Sequence, residues 1–343
     1  MNILPSMLLA DPLDDLPGVE IKNAGELKSI DDLIGAGEPV LLKHAIDHWP
    51  ALAAAAHSAA ALDSYLKERD CGMPVPVMDA PPASGGRFGY AADLHEFTFT
   101  RRSRPLGETL DRIARARTNP GAGYLAIQML PLDTQMPQFV RENPISLVPA
   151  SARPKLWLGG SVKTQIHNDR DHNLCCVIAG HRRFVLFPPE QVANLYIGPL
   201  DKPPPLSLVN PEAPDFAAFP RFEDALKTGR AANLGPGDAL FMPRYWWHHV
   251  TSRDPYNAMV NYWWGGAEAG LGDPFAAFLA ALLAVKSLPP SDRGYWRAMF
   301  DLHVFGDDGA AHMPPAAQGI LGPLTAGSRA SLKQRLKATI LKS

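Results

Sequence analysis

Cysteine is scarce in this chain. Cys71, Cys175 and Cys176 are the only three, an odd number without the spacing of a disulfide framework or a thiolate zinc site. A reducing cytoplasm is therefore the expected setting. An excess of one charge is missing too: 33 Lys and Arg against 35 Asp and Glu leave a net charge of −2. That balance gives no general reason to expect a nucleic-acid or membrane partner. The opening MNILPSMLLADPLDD has no basic stretch ahead of its apolar patch and turns acidic at once, so no signal peptide is read there. Long apolar runs are lacking as well. The longest, Pro274 to Val285, is too short to span a bilayer and reads as a buried or interfacial helix. There is no internal repeat, no low-complexity tract and no recognisable acid–base triad.

Proline, by contrast, is abundant at 34 residues, which favours loops and short strands over long helices. Glu38 to Lys43 reads as a short buried strand, Ala59 to Arg69 and Leu106 to Arg117 as amphipathic helices, and Pro81 to Gly86 as a loop. From Lys155 to Gly265 short apolar runs alternate with Gly, Pro and Asp, among them Leu156-Trp157-Leu158, Phe184 to Phe187, Ala239 to Met242 and Met259 to Trp264. Such spacing suits a jelly-roll or cupin barrel better than a doubly wound sheet. Beyond Gly265 the pattern turns helical, with Asp273-Pro274 as a cap and first-turn proline, and a basic helix from Ser328 to Leu341.

The segment Thr164-Gln165-Ile166-His167-Asn168-Asp169 carries the chemistry. Two residues apart on a strand, His167 and Asp169 point to one face and make two-thirds of a facial metal triad. A second segment, Gly237-Asp238 to Val250, holds Pro243 and the run Tyr245-Trp246-Trp247-His248-His249. It would deliver a third ligand from a distant strand. Two histidines and a carboxylate leave about three octahedral positions open, which suits iron(II) with a co-substrate and dioxygen. The absence of thiolates argues against a structural zinc.

These motifs, in this order, resemble the Jumonji-C oxygenases, and among them the small cupin-like hydroxylases typified by the asparaginyl hydroxylase of hypoxia-inducible factor. The similarity is strongest from Trp157 to Trp264 and looser back to Pro39. It implies a mainly β, double-stranded β-helix (cupin or jelly-roll) fold with flanking N- and C-terminal helices. The organisation that follows is a flexible leader at 1–20, a catalytic domain at 21–265 with its barrel core at about 120–265, and a helical region at 266–343.

The family's iron ligands fall on His167, Asp169 and His248, the first histidine of the doublet, leaving His249 to pack. Its 2-oxoglutarate site falls on Tyr124, Thr164, Asn173, Arg182 and Asn261. A lysine is expected where this chain has Arg182, so Arg183 remains an alternative partner for the co-substrate. The implied activity is hydroxylation of a protein or peptide side chain using Fe(II), 2-oxoglutarate and dioxygen. Lysine demethylation, RNA hydroxylation or a silent metal-binding cupin acting as sensor or scaffold stay open beside it. The one basic cluster that could serve RNA is Arg101, Arg102 and Arg104 with Arg112, Arg115 and Arg117. The stripe Phe275, Phe278, Leu279, Leu282 and Leu283, together with the resemblance, implies a homodimer. Cys175 shares the strand parity of Asn173 and is expected to line the cavity.

Overall fold

The structure is a computed structural model and describes residues 11–201, 204–266 and 272–340. The chain divides into two compact units, Met1–Gly266 and Ala267–Ser343.

Among its described residues the first unit holds fourteen strands. They are β1 (Glu20–Asn23), β2 (Val40–Lys43), β3 (Val75–Ala80), β4 (Arg87–Phe88), β5 (Thr100–Arg104), β6 (Tyr124–Pro131) and β7 (Arg153–Gly159). They continue with β8 (Lys163–Asn168), β9 (His172–Ala179), β10 (Arg182–Phe187), β11 (Arg230–Leu234), β12 (Ala239–Met242), β13 (Trp247–Ser252) and β14 (Asn257–Trp264). One sheet has nine strands in the order β1-β2-β12-β9-β14-β7-β6-β3-β5, and the other has five in the order β11-β10-β13-β8-β4. The architecture is thus a two-sheet jelly roll of the cupin kind and not a closed barrel. Strands far apart in sequence are paired, as in β9 with β12 and β14, which is why connectivity could not be read from local pattern alone.

Two apolar layers explain how the sheets are held. On the outer face of the large sheet, Leu62 and Leu66 from the helix Ala59–Lys67 and Leu106, Leu110 and Ile113 from the helix Leu106–Ala116 pack with Leu125, Ile127, Leu156 and Leu158. Each helix presents its apolar residues at three- and four-residue spacing, and so covers the sheet with one stripe. Between the sheets, Cys175, Val177, Phe184, Leu186, Leu240, Met242 and Met259 form a second cluster. Strand β9 is buried along its whole length because both of its faces are covered.

Residues 11–20 correct the expectation of a mobile leader; residues 1–10 of that leader lie outside the described residues. Leu13 is buried with Ile166, Val185 and Phe187, Asp14 pairs with Arg183 at 2.8 Å, and the Val19 N–H donates to Ala231. The apolar spacing of this stretch is too irregular to announce a docked segment.

The second unit contains helices Pro274–Val285, Pro290–His303 and Ala326–Ile340. Asp273 caps the first by accepting from the Phe275 N–H at 2.9 Å, with proline at the first turn. That helix is apolar almost throughout yet buries none of its residues, and Leu283 is 76% exposed. Among the described residues no helix is long and apolar enough to cross a membrane.

Candidate metal and co-substrate site

A cavity of about 410 Å³ opens between the two sheets. Its small-sheet wall comes from β8, β10 and β13, and its large-sheet wall from β6, β7, β9, β12 and β14. His167 sits one residue before the end of β8, and Asp169 is the first residue beyond it. His248 on β13 is paired with His167 across the ladder. One ligand atom from each of these three side chains lies within 4.8 Å of the other two.

The orientation of both imidazoles is fixed by the backbone. His167 Nδ1 lies 2.8 Å from the carbonyl of Gln165, and His248 Nδ1 lies 3.0 Å from that of Trp246. A carbonyl only accepts, so each Nδ1 donates, which leaves each Nε2 as the ring atom for a ligand bond. The two rings stand 4.2 Å apart, centroid to centroid, and His248 Nε2 is 3.7 Å from the Asp169 carboxylate. Burial, and then the neighbouring His167, push the His248 imidazole down to about 4. It is therefore the neutral ligand form at ordinary pH. Two backbone-anchored imidazoles beside one carboxylate fit a divalent cation of the iron or manganese kind, with positions left open toward the cavity.

The residues expected to hold a co-substrate fall around the same cavity with one exception. Thr164, Asn173, Arg182 and Asn261 all line it. Asn173 donates to Asp169 at 3.4 Å and accepts from the Cys175 thiol at 3.3 Å. Asn261 accepts from the Trp157 indole at 2.8 Å, which leaves its own N–H groups to donate. Arg182 is 6% exposed and its Nε has no hydrogen-bond partner. Burial pulls its guanidinium down to about 10, and no carboxylate offsets that. A buried cation without a carboxylate partner beside a possible metal cluster could receive an acid. Arg183, the alternative, faces the other way and is held by Asp14 and the carbonyl of Leu13.

Tyr124 is the exception. It is not among the residues lining the cavity; its ring packs with Ala80, Phe88, Ala126 and Val162. Gly86 makes room for that ring, since a Cβ there would come within 3.0 Å of it. Cys175 does line the cavity, fully buried, and burial raises its thiol well above the ordinary range, so it stays protonated. His249 points to the opposite face of β13, 3.2 Å from the Thr251 hydroxyl and 3.9 Å from Glu212.

Gln128, Trp157 and Trp263 also line the cavity, and none was among the expected site residues. The signal for Gln128 was present: it follows Tyr124 and Ala126 at period two on β6. None of the six arginines of the basic cluster lines the cavity. Arg101, Arg102 and Arg104 lie on β5, at the edge of the large sheet, with Arg104 paired to Glu108 and Arg112 to Asp79. Charge on an edge strand also serves to block strand addition.

A jelly roll with a two-histidine, one-carboxylate cluster between its sheets is a cupin-type fold with a cluster that could hold a metal ion. The chain belongs to the cupin-like domain family, whose profile matches residues 26–269. It is 33% identical to a lysine-specific demethylase of Arabidopsis thaliana over 140 residues, 40% of this chain and 24% of the relative. It is 28% identical to the Jumonji C domain-containing protein 5 of Drosophila melanogaster over 263 residues, 73% of this chain and 60% of the relative. It is also 26% identical to the bifunctional peptidase and (3S)-lysyl hydroxylase of Homo sapiens over 264 residues, 68% and 79% of the two chains. The chain thus spans about a quarter of the first of these relatives and under two-thirds of the second. The Jumonji-C character expected from the motifs is matched by these relatives, while a particular closeness to an asparaginyl hydroxylase is not found in them.

Proposed function

We propose that this protein is an iron(II)- and 2-oxoglutarate-dependent dioxygenase that hydroxylates a side chain of a protein or peptide. The observation that carries the reading is the pairing of a locked His167–Asp169–His248 cluster with the unpaired, buried Arg182 in one cavity. A metal site alone fits many functions; a metal site facing a buried cation fits one whose co-substrate is a chelating acid. Two of the relatives described above bear the names of a demethylase and a lysyl hydroxylase.

Bound at the triad, iron(II) supplies the redox chemistry that couples 2-oxoglutarate and dioxygen to C–H oxidation, with succinate, carbon dioxide and an alcohol as products. The protein's part is binding and shielding. His167 and His248 would hold the metal through Nε2 and Asp169 through a carboxylate oxygen. Arg182 receives the distal carboxylate of the co-substrate through its forked N–H groups. Thr164, Asn173 and Asn261 offer neutral hydrogen bonds along its length, and Phe184, Met242, Val250 and Met259 keep water from the reacting centre. Demethylation is the same oxidation directed at an N-methyl carbon, with the resulting alcohol released as formaldehyde.

The proposal extends to a homodimer formed through the C-terminal helices, supported by the exposed Phe278, Leu279 and Leu283. Light scattering on the full chain that returns a monomer mass overturns this part. For the activity, succinate formation from 2-oxoglutarate with iron(II) and ascorbate is measured without added substrate. Wild type is expected to turn over slowly and His167→Ala and Asp169→Ala not at all. A wild-type rate equal to that of the variants would overturn the oxygenase reading.

A further inference from the structure

The wall of the cavity formed by β14, β7 and β6 holds an unused polar group. Gln128 is only 8% exposed, lines the cavity, and among the described residues has no hydrogen-bond partner for its side-chain amide. Its amide atoms are not sealed from solvent, so the group is open toward the cavity and available for something that enters it.

A second, independent feature lies beside it. The β6–β7 ladder breaks its register between Ile127 and Leu130, and the pairing of β6 with β3 reaches only to Ile127. Gln128 and Met129 therefore have no ladder partner in either neighbouring strand. Met129 adopts a left-handed conformation with φ of 59° although it is not glycine, and is 44% exposed. Such a backbone costs an ordinary residue energy, and bulges of this kind re-aim side chains beside active sites. Here the bulge keeps two residues of main chain clear of the sheet where Gln128 faces the cavity.

The chemistry of the wall narrows the ligand. Trp157 and Trp263 flank it, edge to face at 6.2 Å, and the buried Trp263 indole N–H also has no partner. Among the described residues the cations lining the cavity are Arg170 and Arg182, matched in number by Asp169 and Asp171, and a metal dication and the 2-oxoglutarate dianion offset each other, so no positive excess awaits a phosphate. A carboxamide is neutral and both donates and accepts, as does a peptide unit.

We propose that Gln128 is a substrate-positioning residue that reads a main-chain amide of an extended peptide laid along the bulge of β6. Main-chain pairing gives affinity independent of sequence, while the flanking indoles select the adjacent side chain. The inference rests on the oxygenase reading for the identity of the cavity as the substrate site, but its test does not need turnover.

Ten-residue peptides are selected by display on the zinc(II)-loaded full chain with 2-oxoglutarate. They are then titrated into nitrogen-15-labelled wild type, Gln128→Leu and Gln128→Met, two variants chosen so that a folding failure in one leaves the other. The side-chain amide signals assigned to Gln128 by their loss in the variants should shift on titration. Both variants should bind roughly five- to tenfold more weakly, the loss of one or two neutral hydrogen bonds. N-methylation of a single peptide amide should weaken wild type by the same factor and leave the variants unchanged. Peptides that bind all three proteins equally with the Gln128 signals unmoved would overturn the proposal, as would an RNA pool that shifts those signals where peptides do not. Absence of succinate formation would count against the oxygenase reading without altering this binding result.

Discussion

Replacing Arg182 by methionine should make the ligand-free protein more stable and blind to 2-oxoglutarate at once. The guanidinium is buried on β10 without a carboxylate beside it, and burial lowers it from 12.5 to about 10. At 1.36 kcal/mol for each pH unit, this corresponds to roughly 3 kcal/mol against the charged form. For a cation held below its unfolded value the sign is a penalty. It is fully present below about pH 10 and relieved as the pH rises toward 12.5, so at pH 7 all of it applies. Methionine keeps much of the apolar stem and removes the charge, so part of that penalty should return as stability, about 1–3 kcal/mol. For a unit of this size each kcal/mol moves the melting temperature by roughly 2–4 °C. The assay is thermal unfolding of metal-loaded wild type and variant, with and without 2-oxoglutarate. At a hundred times its dissociation constant the co-substrate should stabilise wild type by about 2.7 kcal/mol and the variant not at all. A variant that melts lower without ligand would show that Arg182 has a stabilising partner. One that keeps the 2-oxoglutarate shift would show that another group receives the acid.

Further predictions test other parts of the account. Arg69 first, then Tyr65 and Gln138, hold the Glu142 carboxyl down to about 2, so its contribution to stability is present above its ordinary 4.5 and is lost as pH falls toward 2. Urea midpoints for Glu142→Gln and wild type should accordingly differ at pH 6 and converge toward pH 2; a gap that persists in acid would refute the assignment. Met129→Gly should raise stability by about 0.5–1 kcal/mol, since glycine adopts the left-handed backbone at little cost and the side chain is half exposed. A fall in the denaturation midpoint would instead mean that Met129 packing holds the bulge. Tyr256→Phe removes the 2.6 Å hydrogen bond to the buried Asp63 and should cost about 1–3 kcal/mol in chemical denaturation; an unchanged midpoint would refute it.

Much of the central jelly roll was legible because its short apolar runs are bounded by Gly, Pro and Asp. Leu156-Trp157-Leu158 lies within β7, Ala239–Met242 is β12, and Met259 to Trp264 lies within β14. The helix Pro274–Val285 was marked at its start by Asp273-Pro274. Less accessible were properties that depend on who pairs with whom. The choice between Arg182 and Arg183 turns on which face of β10 meets the cavity, and two adjacent arginines look alike until β10 is set between β11 and β13. Tyr124 shares its strand face with Gln128, but only the lie of the neighbouring elements shows that the tyrosine ring packs in a side cluster while the amide reaches the cavity. The bulge at Met129 carries no glycine to announce it. The docking of Leu13 and Asp14 depends on a surface assembled from strands over 150 residues away.

On the proposed function, His167, Asp169 and His248 hold a metal on which 2-oxoglutarate is received. Anaerobic calorimetric titration of 2-oxoglutarate into iron(II)-treated wild type, Asp169→Ala and His248→Ala tests it most directly. One site in wild type, abolished when iron(II) is withheld and absent in both variants, is the predicted result. Binding of equal strength in wild type without metal, or in either variant, would contradict the claim.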